Sequence, residues 1–213
     1  MIRFILSLMF LKISKPTYSQ EEIEHFEQIL IKVNLGEPLQ WQSAYSKVKF
    51  LQYVATKGNY LFHGSNHTSI IEFTPKQQTL FNNEVVEAVF ASAEPIWALF
   101  YAVFDRSKLS GSFRNGCFVS KNDKFVYYSI NQSTYERHPW INGMMYIVPR
   151  SKFKRADHNK VYFDEWISLE PVAPLFKLEI TVDDFIYKNK VAVHADDESL
   201  YKTLFMYKAR TRS

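Results

Sequence analysis

Three polar side chains break into runs that are otherwise apolar. His63 ends Tyr60-Leu61-Phe62 and is followed by Gly64 and Ser65. A strand that ends in histidine, a residue with no side chain and a hydroxyl suits either a turn or a ligand that must approach the backbone closely at Gly64. Glu165 sits in Val161-Tyr-Phe-Asp-Glu-Trp-Ile-Ser168. If that run alternates as one strand, Phe163, Glu165 and Ile167 share a face, and Tyr162, Asp164, Trp166 and Ser168 share the other. A carboxylate on an apolar face is costly unless it is partnered or used. Tyr101 lies on a helical stretch, one turn after Trp97. Imidazole, aromatic ring and carboxylate could therefore converge on one cleft.

The elements that would position them can be read from spacing. Ser19 with Glu22 three residues on is a capping box. Ile23, Phe26, Ile29, Leu30 and Val33 then recur at helical intervals, and Gly36 marks the stop. A second helical pattern runs from about Gln42 to Lys57, with Gly58 after it. From Tyr60 the pattern turns to strands: residues 60–64, 87–92, 116–120, 124–130, 144–149, 161–168 and 175–181. Ser92 is placed to cap a helix over 93–105, and residues 196–208 read as a terminal helix. Helices followed by mostly antiparallel strands give an α+β domain, with residues 1–58 as a helical extension packed on a domain of residues 59–213, in one folding unit.

At this point the motifs can be taken together. Leu-Phe-His63-Gly64-Ser65, then Val-Phe90-Ala-Ser followed by Ala-Leu-Phe-Tyr101-Ala, then Asp-Glu165-Trp-Ile-Ser leading into Val172-Ala-Pro-Leu-Phe-Lys-Leu-Glu-Ile180 resemble, in order and spacing, the three-part signature of the ADP-ribosyltransferase superfamily. The diphtheria-toxin and poly(ADP-ribose) polymerase branch is the closer one. The resemblance covers residues 60–181. It implies a split antiparallel β-fold with an NAD-binding cleft, NAD being substrate, and no metal. His63 would hold a ribose hydroxyl, Gly64 would offer its backbone to the nicotinamide carboxamide, and Ser65 would add a hydroxyl there. Tyr101 would stack on the nicotinamide, and Glu165 would stabilise the cation that forms as nicotinamide leaves. Phe90 stands where the family has a strand tyrosine. It can pack against nicotinamide but cannot hydrogen-bond, and Ala88 replaces the preceding glycine.

Two other readings stay open. RNA 2′-phosphotransferases have a related fold with phosphate-gripping arginines, for which only Arg106 and Arg114 are candidates here. A non-catalytic module that binds NAD, ADP-ribose or nucleic acid is the third, motivated by Phe90. The acceptor of ADP-ribose, protein or nucleic acid, is not readable.

Composition bounds these choices. Hydrophobic residues make up 46% of 213 residues and aromatics 16%, as in a packed domain rather than a disordered chain. The formal charge of +4 is scattered, and its longest cluster, Arg150 to Arg155, reads as solvated surface. Cys117 is the one cysteine, so no intrachain disulfide forms, and its apolar run suits a buried thiol. No Cys/His cluster has zinc spacing. The apolar run from Phe4 to Leu11 is far short of the roughly 20 residues needed to span a bilayer and lacks a signal-peptide cleavage pattern. An ordinary first strand or an overextended start is expected there, with a cytoplasmic setting favoured over a secreted toxin or effector. His67 reads as structural, Glu170 is the rival carboxylate to Glu165 if the strand register differs, and the loop Tyr135 to Gly143 reads as a connection, with a substrate loop or lid as the alternative.

Overall fold

Hydrophobic periodicity and capping chemistry set most of the elements. The computed structural model describes residues 2–157 and 159–211. In chain order it has α1 (Ile2–Met9), β1 (Leu11–Lys12), α2 (Gln20–Ile31), β2 (Pro38–Leu39), α3 (Lys47–Thr56), β3 (Tyr60–Ser65), β4 (Lys76–Thr79), β5 (Val85–Ala91), α4 (Pro95–Val103), β6 (Phe113–Ser120), β7 (Asp123–Asn131), α5 (Gln132–Tyr135), β8 (Gly143–Pro149), β9 (Lys154–Arg155), β10 (Val161–Phe163), β11 (Trp166–Ser168), β12 (Phe176–Ile180), β13 (Ala192–His194) and α6 (Leu200–Arg210). The fold class is α+β. One sheet has the order β1-β7-β6-β10, with β13 also on β7; a second runs β4-β5-β11-β9; the third runs β2-β12-β8-β3. Pairing is antiparallel except for β2 with β12 and β13 with β7.

The capping box at Ser19 and Glu22 forms as the sequence requires: Ser19 Oγ accepts from the Glu22 N–H, and the Glu22 carboxylate accepts from the Ser19 N–H at 2.8 Å. Helix α3 starts later than its apolar pattern suggests, because Ser46 takes the N-cap and accepts from Lys49 N–H. Helix α4 is capped by Glu94, not by Ser92. The Glu94 carboxylate accepts from Ile96 N–H, and Pro95 fills the first turn, where a missing N–H costs nothing. Helix α6 begins at Leu200 behind the Ser199 cap.

The N-terminal run is a helix over Ile2–Met9, not a first strand; only Leu11 and Lys12 pair in a sheet. Leu6 and Phe10 fix it by entering a small cluster with Phe125, Tyr127 and Tyr207. The span 161–168 is also not one strand. β10 pairs with β6 and β11 with β5, so the chain changes sheets at Asp164 and Glu165.

Helix α4 is buried along nearly its whole length and lies at the centre of the main core, which joins Phe26, Phe50 and Leu51 of the N-terminal helices to Phe62, Phe100, Tyr128 and Ile147. Gly64 and Gly143 let α4 come that close. A Cβ at Gly64 would collide with the Ala98 carbonyl and the Ala102 N–H, and one at Gly143 with the Ala102 carbonyl. Helix backbone cannot rotate aside as a side-chain tip can. Gly64→Ala is therefore expected to cost about 3 kcal/mol as an overpacked site, lowering Tm by about 6–12 °C for a chain of this size. Thermal unfolding followed by circular dichroism reads the shift; an unchanged Tm would mean that α4 sits elsewhere.

Candidate functional site

The site is built where β3 and β5 part. Phe62 bonds Ser92 through both its N–H and its C=O, at 2.8 and 2.9 Å, and this is the single described bridge between the two strands. In an antiparallel ladder alternate residues turn their polar groups the same way. Gly64, two residues on, therefore turns its N–H and C=O toward the gap that opens beyond Ser92. His63 spans that gap. Its Nδ1–H donates to the Phe90 carbonyl at 2.7 Å, and its ring lies 4.4 Å from that of Phe73. A carbonyl only accepts, so the proton is on Nδ1. Burial lowers the pKa and keeps the ring neutral. Nε2 is then left as an acceptor for a hydroxyl. Ser65 Oγ accepts from His67 N–H at 3.1 Å, which shapes the exit from β3.

Two observations now bear on Gly64. The side of the residue that lacks a Cβ is filled by α4. The close approach that demands glycine is thus packing; the polar edge of the residue is what a ligand would meet.

From α4, Tyr101 and Trp97 both point to Asn115 on β6. Tyr101 O–H and Trp97 Nε1–H donate to Asn115 Oδ1 at 2.8 and 2.7 Å. With both donors on the oxygen, the amide orientation is fixed. Asn115 Nδ2 is left as a buried donor without a protein partner among the described residues. An unmet buried donor costs roughly 1–3 kcal/mol, and such groups in native folds ask for a reason. Arg106 lies 5.6 Å over the Tyr101 ring and 5.7 Å over that of Phe113. Burial pushes the Tyr101 hydroxyl up to about 12, so it stays protonated.

Glu165 sits at the change of sheets. Its neighbour Asp164 is 2% exposed and fully engaged. Asp164 accepts from Ser92 Oγ at 2.9 Å and from Trp166 Nε1 at 3.0 Å, and its N–H donates to the Cys117 carbonyl. Lys124 Nζ lies 3.6 Å from Asp164 and 3.2 Å from Glu94. The two flanking carboxylates hold Lys124 charged and raise its pKa against the effect of burial. This anchoring turns Glu165 to the other side, where its carboxylate accepts from Phe81 N–H at 3.2 Å. Burial raises Glu165 to about 7, with the Asp157 charge adding to the rise and the Phe81 bond opposing it. Its charge reaches the Tyr101 hydroxyl. Phe81, at the tip of the β4–β5 hairpin, stacks on Phe163 at 4.6 Å, and Phe163 in turn lies against Gly116.

Of the residues singled out from the sequence, His63 bonds the Phe90 carbonyl and the Glu165 charge acts on the Tyr101 hydroxyl, while among the described residues no hydrogen bond, ion pair or ring contact joins the one pair to the other. Arg114 belongs to neither pair: its guanidinium is held by Thr203 and the Glu198 carbonyl, at the start of α6. Glu170 and His67 are exposed. Cys117 is buried, and burial raises its thiol pKa. Asn115, Phe81 and Lys124 were not legible as site residues. Each is a common residue type with no motif around it, and only the fold brings it close. Two surface hollows lie elsewhere, one of about 630 Å³ beside Arg150 and Trp166 and one of about 330 Å³ against α2 and β2; neither holds His63, Tyr101 or Glu165. Among the described residues no three His, Cys, Asp or Glu side chains gather as a metal site would need, and no helix is long and apolar enough to cross a membrane. Comparison with protein-family models, with curated proteins and with solved structures yields no match, so the residues and their geometry carry the functional reading alone.

Proposed function

We propose that this chain is an ADP-ribosyltransferase-like protein that binds NAD, breaks the bond between nicotinamide and ribose, and passes ADP-ribose to an acceptor. The observation that carries this reading is the position of Glu165. A carboxylate with a raised pKa stands where one strand leaves a sheet and joins another, within electrostatic reach of Tyr101, while His63 and the polar edge of Gly64 face the gap between β3 and β5.

The chemistry follows from those groups. The bond between ribose C1′ and the pyridinium nitrogen breaks, and its electron pair goes to the nitrogen, which leaves as neutral nicotinamide. The ribose is left as an oxocarbenium-like cation, and ionised Glu165 stabilises that charge as it forms. An acceptor hydroxyl, carboxylate or water then bonds to C1′, losing its proton where it has one. Tyr101 offers its ring face to the nicotinamide. Gly64 and Asn115 Nδ2 offer donors to the carboxamide, and neutral His63 accepts from a ribose hydroxyl. Phe90 supplies apolar contact only. Phe81 covers Glu165, so entry of NAD requires the Phe81–Glu165 bond to open and the hairpin tip to swing out.

The rival readings differ in what they need. Phosphate transfer from RNA needs free arginines, and Arg114 is taken up by α6, which leaves Arg106 alone. A binding module would hold NAD without releasing nicotinamide.

Because the ionised form of Glu165 does the work, kcat/KM for nicotinamide release is expected to rise with pH through about 7 and to fall tenfold per unit well below it. The limb in kcat lies lower, since the bound pyridinium favours the carboxylate. Measuring initial rates between pH 5 and 9 checks this; a flat profile would remove Glu165 from the mechanism.

A further inference from the structure

Large apolar side chains are exposed in an uneven way on this molecule. Phe4, Ile5 and Leu8 of α1 are 66, 46 and 53% exposed, and Tyr201 and Phe205 of α6 are 86 and 77% exposed. These residues belong to two helices that pack side by side: Lys208 Nζ donates to the Ser7 carbonyl, and Phe10 and Tyr207 meet in one cluster. Phe205 and Tyr201 lie one and two turns before Lys208 on its side of α6, and Phe4 and Leu8 flank Ser7 on α1. The exposed side chains therefore form one outward face. Helix α1 is apolar nearly all round; its inner side, Leu6, enters the cluster with Phe125 and Tyr207, and its outer side has no cover. A helix of that kind is ordinarily buried on both sides, and an apolar face of this extent marks an interaction surface.

The charges around the face say what covers it. Arg3, Lys12, Lys202 and Lys208 lie on the same two helices and on β1, while Arg210 falls on the inner side of α6 with Thr203 and Tyr207. Against these four cations stand two well-covered carboxylates, Asp123, paired with Arg3 and Lys12, and Glu198, paired with Arg210 and Lys202; the exposed Asp196 and Asp197 precede α6, at the end away from its contact with α1. Outward the surface is thus apolar in the middle and positive around it. A second copy would place the same patch against itself about a two-fold axis, opposing cation to cation at a cost in association. An anionic bilayer surface matches both parts, with aromatic and aliphatic side chains entering the interface and the ammonium groups meeting lipid phosphates. At eight residues α1 is about 12 Å long and lies on a bilayer rather than crossing it.

We propose that the outer face of α1 and α6 docks the protein on anionic lipid membranes. This is independent of the reaction assigned to Glu165. The test is co-sedimentation of the full chain with phosphatidylcholine vesicles, with and without about a third phosphatidylglycerol, beside sedimentation velocity of the protein alone. Expected are binding to the anionic vesicles at least about tenfold stronger than to neutral ones, weakening as salt rises, and loss of binding in a Phe4→Asp/Phe205→Asp double variant with unchanged Tm. Both positions are exposed, so the variant keeps its fold. Equal partition to both vesicle types, no binding to either, or a dimer that the double variant dissolves would overturn the proposal.

Discussion

Glu165→Gln is expected to lower nicotinamide release from NAD by about 10²–10³-fold, the loss typical of removing one preorganised group that answers charge in the transition state. The amide keeps the shape of the side chain and can still accept from Phe81 N–H, so KM for NAD should change far less than kcat. The same variant is expected to be the more stable protein at high pH. Glu165 has a pKa of about 7 in the fold and an ordinary carboxylate value when unfolded. Its raised value means that the fold prefers the neutral form. The stability linked to that form is complete below the unfolded pKa and is lost as pH rises through about 7. Gln never ionises, so at pH 8 the variant should gain up to about 3 kcal/mol over wild type, and at pH 4 almost nothing. Urea titrations at the two pH values measure this. A variant that loses activity and gains stability is the signature of a carboxylate held for function; one that loses both would place Glu165 in a structural ion pair instead.

Lys124→Met carries the second large effect. It keeps a side chain of similar length and leaves Glu94 and Asp164 buried without their cation. Breaking a buried pair in this way costs about 3–5 kcal/mol. Glu94, whose carboxyl burial already pushes up, then relieves the strain by taking up a proton, so the loss of stability is larger at pH 8 than at pH 5. Activity should fall as well, because the Asp164 anchor is what fixes the direction in which Glu165 leaves the chain. An equal loss at both pH values would mean that the carboxylates were not uncovered.

Some of this was open to the sequence and some was not. The capping box of α2 and the β6–β7 hairpin were readable because cap, turn and apolar run agree at those places, and α4 was readable from its apolar run although its cap is Glu94 rather than Ser92. β4 was not, since Lys76-Gln77-Gln78-Thr79 is polar on both faces and its strand state comes from pairing with β5. The alternation of residues 161–168 misled for a physical reason: period two holds only while a strand keeps one set of neighbours, and this one exchanges β6 for β5 at Asp164. Glu165 was found as a polar residue in an apolar run, and the change of sheets explains why it can stand there. The apolar run from Phe4 to Leu11 was judged by length and apolarity alone, which cannot separate a strand from a helix. The Lys124 cluster joins residues 94, 124 and 164, and no local pattern announces a contact of that span.

The measurement closest to the central claim is made on the wild-type protein with NAD at pH 8, above the Glu165 pKa. Binding is followed by calorimetry and free nicotinamide by chromatography, with water as the acceptor. The account predicts saturable binding of NAD and release of nicotinamide matched by the appearance of ADP-ribose. NAD that neither binds nor loses nicotinamide would contradict it, and binding with no release would leave the protein a receptor for NAD rather than an enzyme acting on it.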